Sequence, residues 1–123
     1  FKALSAKRAV ARINSTVRCT AYTTAFTAEN AAELVMAYDI VADCTDNIKA
    51  RYLINDACYL HGRPYISGAA IGLDGQLSVY NVNRSQDVPR KSGCYRCLHP
   101  SPERLGPQDS CATNGVLGPV PGV

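Results

Sequence analysis

A short apolar run, Tyr38-Asp39-Ile40-Val41-Ala42-Asp43, closes on an acid and passes through Cys44-Thr45-Asp46-Asn47 into a helical pattern that begins at Ile48. No other feature constrains the chain as much. A run that stays apolar instead of alternating is the pattern of a strand buried on both faces. Strand followed by helix followed by strand builds an open α/β sheet, and such sheets take ligands outside the carboxyl ends of their strands. Residues 43–47 are therefore the first place to look for a nucleotide or a metal. Asp46 suits Mg²⁺, which takes one or two carboxylates together with substrate phosphates. The plainer use of the same residues is that Thr45 or Asp46 caps the helix. Local sequence leaves both uses open.

The flanking segments alternate in the same way. Lys2 to Ile13 places Ala6, Ala9, Val10 and Ile13 on one helical face, with Lys7, Arg8 and Arg12 largely off it. Thr16 to Tyr22 is rich in β-branched and small residues and predicts a strand. Thr27 is the expected N-cap of a short helix to about Ala37, with Leu34 and Val35 inward. Ile48 to Leu60 predicts a helix with Ile48, Leu53, Ile54, Ala57 and Leu60 apolar, and Gly62 closes it as a C′ glycine. Pro64 to Ser67 predicts a strand. Asp74-Gly75 is a turn signal, after which Gln76 to Val82 alternates as a strand with Leu77, Val79 and Asn81 on one face. This alternation predicts parallel pairing. Beyond Asn83 the pattern stops, and Pro100, Pro102 and Pro107 punctuate a long irregular segment, the mark of a functional or metal-pinned loop.

Composition excludes several classes of function. With 46% hydrophobic and 19% charged residues over 123 positions, wholesale disorder is not expected. The formal charge of +3 comes from basic residues scattered among acids, which argues against a nucleic-acid footprint or a membrane surface. No apolar run approaches the roughly 20 residues of a spanning helix, and no charged leader follows Phe1. The six cysteines point to a reducing compartment. Cys19, Cys44 and Cys58 sit in apolar patterned segments, where a thiol serves as a small core residue.

Cys94-Tyr-Arg-Cys97 is half of a Cys₄ zinc site, because closed structural zinc needs four ligands. His99 and Cys111 could complete a Cys₃His set, or a second pair could lie after Val123. A redox pair fits less well so far from a strand-to-helix start. Cys111 precedes Gly115-Val-Leu-Gly118, which reads as the opening of a helix, a setting that favours a thiolate nucleophile. An inert or metal-bound cysteine is the alternative there. His61 and His99 lack a carboxylate at useful spacing and are expected to be structural. Lys2 alone would pass for a surface lysine.

Lys2-Ala-Leu-Ser5, Asp43-Cys-Thr-Asp46-Asn47, Arg51-Tyr-Leu-Ile-Asn55, Gly68-Ala-Ala-Ile71, Gly75-Gln76, Cys94-Tyr-Arg-Cys97, Cys111-Ala and Gly115-Val-Leu-Gly-Pro119 follow one another along the whole chain. In that order and spacing they resemble the ThiF/MoeB group of ubiquitin-activating-enzyme-like adenylyltransferases. The resemblance implies a Rossmann-like α/β fold, with residues 1–123 forming part of the adenylyltransferase domain, truncated at both ends, and carrying a zinc-knuckle half-site and a long crossover loop. A glycine-rich phosphate loop would precede Phe1. A second zinc cysteine pair and any rhodanese-like domain would follow Val123, so these residues alone are expected to be inactive.

The implied reaction adenylylates the C-terminal glycine of a ubiquitin-like sulfur carrier ending in Gly-Gly with ATP, then converts it to a thiocarboxylate for molybdenum cofactor synthesis and transfer-RNA thiolation. On that resemblance Lys2, Asp46 and Asn47 contact the nucleotide and Asp46 holds Mg²⁺. Cys94 and Cys97 hold Zn²⁺, and Cys111 is the catalytic thiol. It also implies a cytosolic homodimer that receives sulfur from a cysteine desulfurase and touches neither membrane nor nucleic acid directly. Two other readings stand beside it, a non-catalytic zinc-stabilised partner subunit of an activating enzyme and a nucleotide-binding oxidoreductase. The oxidoreductase is weakened by the lack of a glycine-rich dinucleotide fingerprint.

Overall fold

The structure is a computed structural model that describes residues 1–71, 73–82 and 92–101. In chain order it contains α1 (Lys2–Ile13), α2 (Ala31–Met36), β1 (Val41–Asp43), α3 (Ile48–Leu60), β2 (Tyr65–Ile71), β3 (Asp74–Tyr80) and α4 (Tyr95–Leu98). The sheet runs β1-β2-β3. β1 and β2 are parallel, Val41 opposite Tyr65 and Asp43 opposite Ser67, with α3 as their crossover. The β2–β3 pair is antiparallel from Tyr65–Tyr80 to Ile71–Asp74. The sheet is therefore mixed, where alternation alone predicts parallel pairing throughout. Asp74-Gly75, expected to turn the chain, lies inside β3. No helix among the described residues is long and apolar enough to cross a membrane.

Both long helices form over the predicted spans, and their ends follow local chemistry. α3 starts at Asn47, whose side-chain oxygen accepts the Ala50 N–H at 2.7 Å. The cap is therefore neither Thr45 nor Asp46, since only Asn47 reaches an N3 donor. At the other end Gly62 adopts φ +63°. Its N–H donates to the Tyr59 carbonyl and the Arg63 N–H to the Cys58 carbonyl, the paired bonds of a Schellman close. The short second helix begins later than expected. Thr27 opens a turn by accepting the Ala31 N–H, while Asn30 is the capping residue and takes the Thr27 N–H. Val35 is buried and Leu34 half-buried.

Three expectations fail for want of a neighbour. Thr16 to Tyr22 forms no strand among the described residues. Asn14 takes both the N–H and the hydroxyl of Thr16, a local bond that competes with a ladder. β1 is not buried on both faces: Ala42 is exposed, and among the described residues the strand pairs with β2 alone. The apolar face of α1 buries no residue, and Ile13 at its end is almost fully exposed. Of the cysteines expected inside, Cys58 is fully buried, Cys19 half-buried and Cys44 exposed at the tip of β1.

The core lies between α2, α3, the sheet and α4, and Tyr52, Tyr65, Tyr80 and Tyr95 are its largest members. Tyr65 stacks on Tyr80 at 5.5 Å, while Tyr95 meets Tyr80 and Tyr52 edge to face at 5.9 and 5.1 Å. Each such pair adds about 0.5–1.5 kcal/mol beyond its burial. This packing decides which face of β3 is inward. Tyr80 is buried, whereas Leu77 and Val79, expected to share one face, share the exposed one. Tyrosine brings a hydroxyl that must be satisfied when buried, and that requirement shapes both candidate sites.

Candidate functional site

The first cluster sits where β1 ends. Asp43, its last residue, is 2% exposed and fully ringed by donors. The Tyr65 hydroxyl donates to Oδ2 at 2.7 Å and the Thr45 N–H to Oδ1 at 2.7 Å. Arg51, one turn into α3, brings Nε to 3.5 Å from Oδ2, a charge contact too long and poorly aimed for a hydrogen bond. Its Nη2 donates to the Thr45 carbonyl at 3.1 Å. Burial with the Asp43 carboxylate so near pushes the Tyr65 hydroxyl well above its ordinary range, so it stays a donor.

Above this ring Asp46 and Asn47 are exposed at the start of α3. The Thr45 hydroxyl and Arg51 Nε are buried without a hydrogen-bond partner among the described residues. Two spare donors, an exposed carboxylate and a 13-residue helix opening at this point suit a phosphate with its metal ion. The residues present thus fit a Mg-nucleotide, to which Asp46 offers an exposed carboxylate. Lys2 lies exposed on the first turn of α1, and no described hydrogen bond or ion pair joins it to Asp46 or Asn47.

The second cluster is the Cys-x-x-Cys turn. Cys94 and Cys97 bracket the single turn of α4, and their sulfurs stand 3.7 Å apart as free thiols. Two thiolates on one tetrahedral zinc, with Zn–S near 2.3 Å, stand about 3.8 Å apart, so the pair already has the spacing of two zinc ligands. Burial pushes the Cys94 thiol up, but bonding from the Cys97 N–H, the Cys97 thiol, the Arg96 N–H and Asn55 outweighs it and leaves the thiol below its ordinary range. No third His, Cys, Asp or Glu gathers with them among the described residues. His99 is thus not a third ligand. Its ring lies against Tyr95 at 4.5 Å and its carbonyl accepts the Tyr52 hydroxyl at 2.6 Å, the structural role expected of it. Cys111 lies outside the described residues, as does most of the irregular segment beyond Asn83.

α3 carries both clusters. Its first turn supplies Arg51 to the strand end, and the next turn holds α4. The fully buried Asn55 accepts the Tyr95 N–H at 2.8 Å. Asp56 takes Arg96 in a two-pronged pair at 2.7 and 2.6 Å, and the same guanidinium lies 4.7 Å over the Tyr52 ring. Arg96 holds the Asp56 carboxyl below its usual range. Sequence reading assigned no role to Asp43, Arg51, Asn55 or Asp56. The only local signal was the acid closing the apolar run.

A parallel βαβ crossover with a carboxylate at its strand-to-helix junction, and a dithiol turn pinned to the same helix, is an α/β arrangement of the Rossmann-like class. The chain belongs to the ThiF family, whose model matches residues 1–123. Among curated relatives it is 49% identical over 122 residues to the adenylyltransferase and sulfurtransferase MOCS3 of Danio rerio. It is 47% identical to the protein of the same name from Mus musculus and 42% identical to that from Dictyostelium discoideum. Each alignment covers 99% of this chain and 25–27% of the relative, so the chain spans about a quarter of the length of the relatives it matches.

Proposed function

We propose that the chain is part of an adenylyltransferase domain that activates the C-terminal glycine of a ubiquitin-like sulfur carrier with ATP and passes it on for conversion to a thiocarboxylate. The observation that carries this reading is the strand-end loop 43–47, with a spare Thr45 hydroxyl and an exposed carboxylate, in a chain nearly half identical to a protein named adenylyltransferase and sulfurtransferase. In the first step a carboxylate oxygen of the carrier attacks the α-phosphorus, the α–β anhydride bond breaks and pyrophosphate leaves. The chemistry is mostly charge management. Mg²⁺, when bound, neutralises charge developing on the phosphates. Asp46 holds that ion, Asn47 starts the helix under the phosphates, and Lys2 contributes a positive charge from α1. Cys111 then takes the acyl group as a thioester with release of AMP. The outer sulfur of a persulfide, fed by a cysteine desulfurase, attacks that carbonyl, freeing the Cys111 thiol and leaving an acyl disulfide. A second thiol cleaves this to the carrier thiocarboxylate and a mixed disulfide. Cys94 and Cys97 are two of four zinc ligands and brace the fold without entering the reaction.

The products serve molybdenum cofactor synthesis and transfer-RNA thiolation, and the protein works as a homodimer in the cytosol. ATP–pyrophosphate exchange by the full-length protein tests the reading. Exchange should require a carrier ending in Gly-Gly, vanish in Asp46→Ala and survive in Cys111→Ala. Exchange that persists undiminished in Asp46→Ala refutes the assigned site.

A further inference from the structure

We infer that Asp43 is a positioning residue for this reaction, holding from beneath the loop that presents Asp46. The inference rests on the function proposed above and adds to it a residue that never touches the nucleotide. Asp43 is buried, and a buried carboxylate persists only where donors surround it. Its partners come from three elements: hydrogen bonds from the Tyr65 hydroxyl of β2 and the Thr45 N–H of the loop itself, and the charge of Arg51 of α3. Buried ion pairs are weak contributors to stability, since well-packed apolar groups often replace them without loss. What this one does is geometric. Asp43 fixes the Thr45 N–H while Arg51, held against Asp43, fixes the Thr45 carbonyl. That carbonyl shares a planar peptide with the Asp46 nitrogen and Cα, so pinning it sets where Asp46 begins. One residue on, the Asn47 cap holds the other side. Asp46 is thus an exposed ligand on a backbone anchored at both flanks.

The test uses the full-length protein and two readouts, the Mg²⁺ concentration that half-saturates pyrophosphate exchange and calorimetric binding of Mg-α,β-methylene-ATP, which cannot turn over. Asp43→Asn keeps the shape and the bond to Thr45 but turns an amide N–H₂ toward Tyr65 and Arg51. It should raise the Mg²⁺ midpoint and weaken analogue binding by about 10- to 100-fold, the usual range for partners that orient a ligand. Arg51→Lys keeps the positive charge but loses the fork that reaches Thr45, and should shift both readouts the same way. Tyr65→Phe removes a buried bond to the same carboxylate without touching the loop. It should lower stability yet leave the Mg²⁺ midpoint within about twofold, because it frees no loop atom. If Asp43→Asn folds poorly, Arg51→Lys decides. Wild-type midpoints in the folded variants, or an equal shift in Tyr65→Phe, overturn the inference. Wild-type exchange in Asp46→Ala instead overturns the function on which it rests.

Discussion

Replacing Asn55 by alanine should release the Cys-x-x-Cys turn from α3 while leaving the sheet in place. Asn55 is fully buried, and its side-chain oxygen is the acceptor for the Tyr95 N–H at 2.8 Å. Its amide also donates to Asp56 at 3.1 Å, steadying the carboxylate that grips Arg96. Alanine leaves the Tyr95 N–H buried without an acceptor, a loss of about 1–3 kcal/mol. The void adds on the order of 1 kcal/mol. The sum, about 2–4 kcal/mol, falls on one contact between α3 and α4. It is a large fraction of the roughly 5–15 kcal/mol that stabilises a domain, yet too small to unfold it. At 1.4 kcal/mol per factor of ten, the undocked population of α4 rises about 30- to 1000-fold.

Thiol modification reads that population directly. In the zinc-free protein the exposed Cys97 is alkylated by iodoacetamide in either variant, whereas the buried Cys94 is alkylated only through opening. The Cys94 rate should rise at least about 30-fold in Asn55→Ala. A Cys94 rate within threefold of wild type, with an unchanged urea midpoint, would refute the claim that this bond docks α4.

Other expectations follow from the same structure. Arg96 holds the Asp56 carboxyl below its ordinary value, so the clamp is complete above the usual carboxylate pKa near 4 and is lost as pH falls through the lowered one. The rate of Cys94 relative to that of Cys97 should therefore rise only in acid below that point, while both absolute rates fall with the thiolate, and Arg96→Ala should abolish this pH dependence. Burial, with the Asp43 charge nearby, pushes the Cys58 thiol up to about 11. Its contribution to stability is complete below the ordinary thiol value near 9 and lost as pH rises through it toward 11, so Cys58→Ala should flatten the alkaline limb of a pH–denaturation curve. Gly62→Ala meets no atom within 4 Å, so its penalty is the left-handed backbone alone, about 1–2 kcal/mol, seen as a lower urea midpoint with unchanged slope.

What the sequence discloses divides along physical lines. α1 and α3 are legible because helical periodicity and Gly62 are local signals, and the β1–α3 junction because an acid closes an apolar run. Thr16 to Tyr22 has the composition of a strand, but a strand also needs a partner, and composition carries no record of one. The inward face of β3 is decided by Tyr80 packing on Tyr65 and Tyr95, residues far away in sequence, so alternation through Leu77 and Val79 marks a face without saying which way it looks. The same limit governs the sites. Asp46, Cys94 and Cys97 stand out as candidates by their place and spacing in the sequence. The role of Asp43 depends on Tyr65, 22 residues away, and that of Asp56 on Arg96, 40 residues away. Asn55 is a polar residue in a helix core, explained only when a buried N–H from α4 needs an acceptor.

Mass spectrometry of the carrier bears most directly on the proposed activity. The full-length protein is incubated with Mg-ATP and a ubiquitin-like carrier ending in Gly-Gly, first without and then with a persulfide donor. The account predicts a carrier held as acyl-adenylate and as a thioester on the enzyme in the first case and a carrier thiocarboxylate in the second, with none of these formed by Asp46→Ala. A carrier that leaves both incubations at its starting mass, while the protein still binds it, would contradict the account and favour a non-catalytic partner of an activating enzyme.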